Sequence, residues 1–424
     1  MTDEKYFWQI GSPPPLLDRH SQTKHLIVEE YVKQYILTLM AQANIPELRL
    51  SIIDGFCGGG CYRTEGEMLA DGSPVLVMRA VREARMQLNL GRRNPRHVNV
   101  NYYFVDILPD TTNHLQHWLK AKCEENKIDS EDYQKTKIIT NEFLKSLPSI
   151  VQNIKEQKRG ERALFILDQY SYKDVPLTDV SNILTSVKGA EVVMTFNVDN
   201  LTTYLSDHSS NRKALMNIGL DKYIPWEDLK SLKATHRREW RRILQKYLAN
   251  GIKHETGAKF MTLFFVKPFG ENTWGYWLIH LSNTYRAHAV MKSLHWAHAT
   301  EFGHELEPGV FVLGYDANND SNYTGQQTFE FSGAGSKEAC IEGVSEHFGQ
   351  IVFQQDKPIQ LAELFQSCVT NSTAAEYHLM EAVRQLHSSK DVIIQSKDGV
   401  KKRTNKVYKL SDIIEPSKQT SIFK

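Results

Sequence analysis

The feature that most constrains this chain is a short apolar strand that runs directly into a glycine-rich turn. Leu50, Ile52 and Ile53 predict a buried strand, and Asp54 closes it. Four glycines follow within six residues, at Gly55, Gly58, Gly59 and Gly60. Such a turn lets backbone approach a ligand closely because no side chains intervene. It therefore predicts a nucleotide-type ligand at the carboxyl edge of a parallel sheet, with a tight structural connection as the alternative.

The spacing of these glycines argues against two common nucleotide-binding classes. The turn lacks the G-x-G-x-x-G spacing of the dinucleotide fingerprint. No Gly-Lys-Ser/Thr follows it, as a P-loop would require. The sequence thus disfavours a dehydrogenase and an NTPase.

Strands and helices alternate through the first 200 residues, which predicts a mainly parallel, doubly wound α/β sheet. Two later apolar runs, at 259–266 and 276–281, predict a β-hairpin around Gly270. Together they predict a seven-stranded, mostly parallel sheet with an antiparallel edge. The five earlier strands are predicted at 48–53, 98–106, 137–139, 163–168 and 190–196.

The 424 residues exceed a typical single domain, so more than one is expected. We predict a sheet domain at 1–300 with a helical insertion at about 200–255, a linker or insertion at 301–357, and a separate C-terminal domain at 358–424. In the last region two helices precede a hairpin, which is the outline of a winged helix. Its charge is uneven: ten Lys or Arg but only four acids lie between Arg384 and Lys424.

Composition and motifs exclude several other classes. No apolar run approaches the roughly 20 residues that span a bilayer, and the N-terminus lacks a signal-peptide pattern. Five scattered cysteines do not form a disulfide framework, so a reducing cytoplasm is the expected location. Cys57 and Cys61 lack the third cysteine of a radical S-adenosylmethionine cluster, and the histidines show no ligand spacing, so no metal is predicted.

Two groups of residues are candidates for binding polar ligands. Asp106 ends the second predicted strand, where an acid can accept hydrogen bonds from both ribose hydroxyls of an adenosine, although it could also be a solvated strand end. Basic clusters predict contacts with nucleic-acid phosphates, with a solvated helix face or a dimerisation module as the alternatives. These clusters are Arg237, Arg238 and Arg241 in the helical insertion, and Lys401, Lys402 and Arg403 at the tip of the C-terminal hairpin.

Several sequence blocks, taken in order, resemble one family, the three-Cys-motif partner (TcmP) proteins of bacteria. The most specific block is Ile53-Asp-Gly-Phe-Cys-Gly-Gly-Gly-Cys-Tyr62. The others are Thr23-Lys-His25, Asp71-Gly-Ser-Pro74, Phe104-Val-Asp106, Leu164-Phe-Ile-Leu-Asp168, Phe196-Asn197, the strand from Tyr276 to Ser282, and the ending Pro416-Ser-Lys-Gln-Thr-Ser-Ile-Phe. The resemblance covers most of the chain.

The resemblance implies a Rossmann-like class I S-adenosylmethionine (SAM)-dependent methyltransferase fold and SAM as the cofactor. It implies that Asp54, Gly55 and Gly58 hold the methionine end of SAM and that Asp106 holds the ribose. The remaining cofactor-binding residues expected from the matching blocks are Lys24, His25, Phe56, Gly60, Ser73 and Asp168. It also implies a partner protein with a three-cysteine motif that resembles radical SAM enzymes.

Asp168 is the candidate for the chemical step. At this position amino-methyltransferases carry an Asp or Asn whose oxygen accepts from the target amine, followed by two prolines and an aromatic ring that stacks on the base. Here Tyr170 or Tyr172 is the candidate aromatic residue, and Gln169 and Tyr170 replace the prolines. A purely structural Asp168 is the alternative.

These observations lead to two hypotheses of different classes. In the first, the chain is a SAM-binding methyltransferase that acts on or with nucleic acid. In the second, it is a non-catalytic methyltransferase fold that recognises nucleic acid or a protein, as a component of an antiphage defence system.

Overall fold

A computed structural model describes most of the chain. The described residues are 6–157, 161–169, 173–205, 209–235, 240–270, 275–307, 310–319, 334–355, 357–369 and 372–417.

The strands form one large sheet, one small sheet and a short hairpin. In chain order they are β1 (Glu47–Asp54), β2 (Cys61–Arg63), β3 (Leu69–Asp71), β4 (His97–Asp106), β5 (Thr136–Thr140), β6 (Arg162–Leu167), β7 (Gly189–Phe196), β8 (Phe260–Lys267), β9 (Tyr276–Ser282), β10 (Glu301–Glu307), β11 (Val310–Asp316), β12 (Ile359–Gln360), β13 (Val392–Gln395) and β14 (Ile413–Pro416).

Helices cover both faces of the large sheet and complete the C-terminal region. They are α1 (Arg19–Leu39), α2 (Ser73–Asn89), α3 (Pro109–Glu124), α4 (Ser130–Gln134), α5 (Phe143–Glu156), α6 (Leu177–Ser186), α7 (Val198–Tyr204), α8 (Ser209–Ile218), α9 (Leu229–Thr235), α10 (Trp240–Thr256), α11 (Tyr285–His298), α12 (Ala334–Gln354), α13 (Leu361–Val369) and α14 (Glu376–Ser388). Short 3-10 helices span Asp221–Tyr223 and Ala317–Asn319.

The order of strands in the large sheet is β5-β4-β1-β6-β7-β9-β8-β11-β10. The five strands from β5 to β7 are mutually parallel, and β9 runs antiparallel to both β7 and β8. The first seven strands of this order form the class I methyltransferase sheet, which confirms the predicted fold class. The predicted hairpin between the two late strands is also present, as the pair β8–β9.

Alternate side chains of β1 enter opposite cores, as the pleat of a strand requires. Leu50 and Ile52 pack with α1 and α2, whereas Ile53 packs with α5 and α6. All three are fully buried. A strand covered on both faces reads as a continuous apolar run, which is why β1 was recognisable from the sequence.

The prediction of seven strands was wrong in number, because the region predicted as a linker adds two more. The polar segment β10 forms the outermost strand, antiparallel to β11, and β11 pairs in parallel with β8. A strand at the edge of a sheet needs few apolar residues, so its sequence resembles a loop. Within 301–357 the structure also contains the 21-residue helix α12.

The C-terminal region runs helix, strand, two helices and two strands, from α12 to β14. Its three strands pair antiparallel in the order β12-β14-β13. The helices and strands enclose a third core that includes Phe348, Phe365 and Ile414. This region contacts the sheet domain through α11, where the indole Nε1 of Trp296 donates to the carbonyl of Thr373 at 2.7 Å.

Candidate functional site

Three aspartates lie at the carboxyl edge of the large sheet. Asp54 ends β1 and Asp106 ends β4, its neighbour, while Asp168 directly follows β6 on the other side. The chain winds outward in opposite directions from β1, first to β4 and later to β6. Such a reversal leaves a crevice at the carboxyl edge, which is where doubly wound sheets bind ligands. These three aspartates, which the sequence identified as candidates, therefore meet at this crevice.

Asp54 is a buried carboxyl with unused hydrogen-bonding capacity. It is 1% exposed, and its Oδ1 accepts from the backbone N–H of Phe56 at 3.2 Å. Neither its Oδ2 nor the buried Oγ of Ser73 has a well-formed hydrogen bond among the described residues, although the Ser73 hydroxyl lies close enough to the carboxyl to lower its pKa. Burial raises the pKa of Asp54 to about 7. A buried, unsatisfied carboxyl oxygen is costly, so its presence indicates a group that binds there.

Helix α1 brings a cation and a neutral imidazole to the same crevice. The ammonium of Lys24 forms an ion pair with Oδ2 of Asp168. His25 is buried, and its Nδ1 has no hydrogen-bond partner within the described part of the chain. Burial lowers the pKa of His25 to about 4, with the neighbouring Lys24 ammonium as the next cause, so the ring is neutral at pH 7.

A buried polar cluster fixes α1 relative to the sheet. The hydroxyl of Tyr31 donates to Glu191 on β7 and lies 2.9 Å from Nε2 of His280 on β9. His280 Nε2 and Glu191 Oε2 are 3.1 Å apart. These contacts lie about two turns after Lys24 on the same helix, so they hold Lys24 and His25 at the carboxyl edge.

The protein's own packing and backbone geometry require the glycines of the turn. The turn is therefore not simply an open cradle for a ligand, as the sequence suggested. A Cβ on Gly59 would lie 2.2 Å from Cγ of Trp8, and one on Gly55 would lie 2.9 Å from Leu167 and Phe143. A Cβ on Gly60 would lie 2.7 Å from Leu115. Gly58 and Gly60 also adopt positive φ angles of 61° and 84°, which favour glycine.

Asp106 and an apolar neighbour form the other half of the site. Oδ1 of Asp106 accepts from the backbone N–H of Leu108 at 2.9 Å, and burial raises the pKa of this carboxyl. Ile107 follows it and is 60% exposed, so an apolar side chain lies at the surface directly after this acid. Sequence analysis missed Ile107, although its place directly after a strand-ending acid was visible.

Gln169 is structural. Its Nε2 donates to the carbonyl of Thr195, and its Oε1 accepts from the N–H of Val175, both at 3.0 Å. It thereby ties the loop after β6 to β7. The candidate aromatic residues Tyr170 and Tyr172 lie outside the described residues. For Asp168, Lys24 counters the effect of burial and lowers its pKa, which keeps it ionised.

The predicted phosphate-binding residues divide into two groups. Lys401, Arg403 and Arg241 are exposed, as phosphate contact requires. Lys402 does not fit that prediction, because its ammonium pairs with the buried Asp412 at 2.6 Å and donates to the carbonyl of Val407 at 2.9 Å. It stabilises the hairpin. Arg237 and Arg238 lie outside the described residues.

Within the described part of the chain, no group of three His, Cys, Asp or Glu side chains is arranged to hold a metal ion. None of the described helices is both long and apolar enough to cross a membrane. Cys57 and Cys61 are buried, and burial raises the pKa of both thiols. Both are therefore protonated at neutral pH.

Comparison with known proteins gives distant structural neighbours. No family model matches the chain, and no curated protein matches it. Among solved structures, the Legionella pneumophila protein LPL1258 is 12% identical, with a TM-score of 0.35 over 63% of this chain and 88% of that one. The SAM-bound magnesium protoporphyrin IX methyltransferase ChlM from Synechocystis PCC 6803 is 10% identical, with a TM-score of 0.25 over 63% of this chain and 85% of that one. Because these TM-scores are low, the fold assignment rests on the strand order.

Proposed function

We propose that this protein binds SAM at the crevice between β1, β4 and β6 and transfers its methyl group to an acceptor, acting on or with nucleic acid. One observation carries the proposal: buried polar atoms without well-formed hydrogen bonds lie at the crevice of a methyltransferase-type sheet. These atoms are Oδ2 of Asp54, Oγ of Ser73 and Nδ1 of His25.

The charges of the crevice suit the amino-acid end of SAM, which carries an ammonium and a carboxylate. The ionised Asp54 carboxylate would bind the ammonium, while Lys24 and Ser73 supply a cation and a hydroxyl donor for the carboxylate. The adjoining turn would contribute backbone groups to this site, from Gly55, Phe56, Gly58 and Gly60. At the other half, Asp106 would accept from the ribose hydroxyls, and the exposed Ile107 offers an apolar face to the adenine ring.

When bound, SAM would supply a methyl group on a sulfonium for transfer to an acceptor's lone pair, with the thioether as the leaving group. The protein's contribution to such a step is position and electrostatics. Asp168 is ionised and, with 34% of its side chain exposed, is accessible from the crevice. It would orient the acceptor, with Tyr170 or Tyr172 as stacking residues for a base. A base within a duplex would have to be flipped out to reach it.

We expect Asp168→Ala to lower the rate of methyl transfer at least about 100-fold while SAM affinity changes less than about fivefold, because alanine lacks the oxygens that would accept from the target amine. The measurement is transfer of a radiolabelled methyl group to DNA, RNA and co-expressed proteins, with cofactor affinity from calorimetry. Glu142→Ala is the control, because Glu142 is an exposed acid before α5. Wild-type protein that binds SAM but labels none of these acceptors contradicts catalysis.

That outcome would favour a second function, a non-catalytic methyltransferase fold that recognises nucleic acid or a protein. One observation supports it: Lys24 occupies an oxygen of Asp168, the group expected to contact the acceptor. In this alternative the pair is structural, and SAM serves as a bound ligand only.

We propose that residues 358–424, together with the preceding α12, form a winged helix that binds nucleic acid. Its support is the element order described above, with the basic residues Lys401 and Arg403 exposed in the wing between β13 and β14. The helical residues 200–255 remain a proposed insertion in the sheet domain, which was predicted at 1–300 but whose sheet extends through β10 and β11 to Asp316.

Replacing Lys401 and Arg403 together by alanine is expected to reduce the salt dependence of nucleic-acid binding by nearly two units of slope, about 0.9 for each lost phosphate contact on duplex DNA. The measurement is affinity against salt concentration. Lys120 and Lys145, exposed on α3 and α5, form the matched control pair. An unchanged slope would mean that the wing does not contact phosphates.

The three-Cys-motif partner, a place in antiphage defence and a cytoplasmic location remain proposals that rest on the resemblance and the composition. Co-purification of the tagged chain with a co-expressed three-cysteine-motif protein tests the first of them.

A further inference from the structure

We propose that Trp8 is a positioning residue for the SAM site, and that binding of SAM is coupled to docking of the N-terminal strap, defined as residues 6–17. The inference rests on the proposed SAM site, but the packing that carries it is observed directly.

Trp8 differs from its neighbours in the strap because it is buried against the glycine turn. It is 5% exposed, whereas Phe7 and Ile10 are 46% and 55% exposed. Its Nε1 donates to the carbonyl of Cys61 at 2.7 Å, and its ring meets Tyr62 edge-on, with ring centroids 5.4 Å apart. The indole is therefore fixed by a hydrogen bond and by shape.

The turn and the indole are complementary. A Cβ on Gly59 would lie 2.2 Å from Cγ and 2.3 Å from Cδ1 of Trp8, and a Cβ on Gly58 would lie 3.0 Å from its Cη2. The backbone at Gly59 has no positive φ that would itself require glycine. The absence of a side chain at this position is thus explained by Trp8.

Backbone hydrogen bonds hold the strap to the hairpin that leaves the turn. The N–H of Leu17 donates to the carbonyl of Arg63, and the N–H of Arg63 donates to the carbonyl of Pro15, both at 2.8 Å. Leu16 bridges Arg63 in parallel. The end of the strap is in effect a third strand of the β2–β3 hairpin, which fixes where Trp8 lies.

Ring contacts connect the strap to the polar crevice. Tyr62, against which Trp8 packs, lies 5.8 Å from the ring of His25, and His25 is adjacent in sequence to Lys24. Burial raises the pKa of Tyr62, and Asp168, Tyr6 and Asp54 contribute in the same direction, so these groups lie near its hydroxyl. Trp8 and Tyr62 thus form a wall of packed rings beside His25. Undocking of the strap would expose this wall and the turn to water.

We expect Trp8→Ala to weaken SAM binding at least about tenfold, measured by calorimetry on the full chain, while Phe7→Ala leaves the affinity within about twofold. Trp8→Phe keeps a ring against the glycines but lacks Nε1, so its affinity should lie between those of the wild type and Trp8→Ala. Saturating SAM should slow proteolytic cleavage within residues 6–17 at least about fivefold in the wild type, a readout that a merely structural role would not change.

A double-mutant cycle tests the packing separately. Gly59→Ala should lower the melting temperature and the SAM affinity in the wild type, yet have little further effect in Trp8→Ala, since the clashing indole is gone. Equal effects of Gly59→Ala in both backgrounds would refute the packing argument. Wild-type binding of SAM together with unchanged affinity in a folded Trp8→Ala protein overturns the inference alone, whereas a wild type that does not bind SAM overturns the proposed function.

Discussion

Replacing Asp106 by alanine is expected to weaken SAM binding by at least about 100-fold. A carboxylate that accepts two hydroxyl hydrogen bonds contributes about 1.5–3 kcal/mol for each bond, and each 1.4 kcal/mol corresponds to a factor of ten. Oδ1 of Asp106 is already oriented by the N–H of Leu108, so little reorganisation is needed on binding. The measurement is a calorimetric titration with SAM and with S-adenosylhomocysteine.

The control for Asp106→Ala is Asp110→Ala. Asp110 is an exposed acid in the first turn of α3, only four residues away, so it matches the change in net charge without touching the crevice. A folded Asp106→Ala protein with wild-type affinity would refute the assignment of the ribose to this edge. Equal losses of SAM affinity in the two variants would mean that the effect comes from the change in net charge and not from contacts with the ribose.

The second large effect concerns pH. Burial raises the pKa of Asp54 to about 7; the Ser73 hydroxyl, the N–H of Phe56 and Lys24 oppose this shift, and Asp168 adds to it. Only the ionised carboxylate attracts the ammonium of SAM, so affinity should fall about tenfold per unit below pH 7, reaching roughly 100-fold at pH 5. Near pH 6, binding should release close to one proton, measurable as a dependence of the binding heat on the ionisation enthalpy of the buffer.

The pH dependence of folding stability due to Asp54 is opposite in direction to the pH dependence of SAM binding. Because the folded state raises the pKa of Asp54, the folded protein holds this proton more tightly than the unfolded chain does. The contribution of Asp54 to stability is therefore fully present below about pH 4 and is lost as the pH rises through 7. Asp54→Asn should bind SAM weakly throughout, with an affinity that no longer depends on this titration, and should remove the contribution of Asp54 to the pH dependence of stability. A wild-type affinity that is flat between pH 5 and 8 would show that Asp54 does not pair with the cofactor.

The central parallel strands β1, β6 and β7 were predictable because they are buried on both faces. The run Leu50 to Ile53 needs no knowledge of its neighbours to be recognised. The acids that end β1 and β4 were likewise visible, since parallel strands bring their carboxyl ends to one edge. The edge strand β10 was not, because polar residues suffice where a strand has one partner.

The role of the glycine turn could only be interpreted in part. Four glycines predict close approach, but the sequence does not say what approaches, and at Gly59 it is Trp8, about fifty residues earlier. Lys402 illustrates the same limit. Its position in a basic run predicts phosphate contact, yet a pairing with Asp412 commits it to the fold. In both cases the sequence around one residue contains no signal that identifies the residue it contacts.

The central claim, that SAM binds where β1, β4 and β6 end, is tested most directly by a crystal structure with S-adenosylhomocysteine. The account predicts the amino-acid end of the ligand within hydrogen-bond distance of Asp54 and Ser73, and the ribose hydroxyls on Asp106. Ligand density at another place, or a crevice in which the unpartnered oxygens of Asp54 and Ser73 remain without a ligand at saturating concentration, would contradict it.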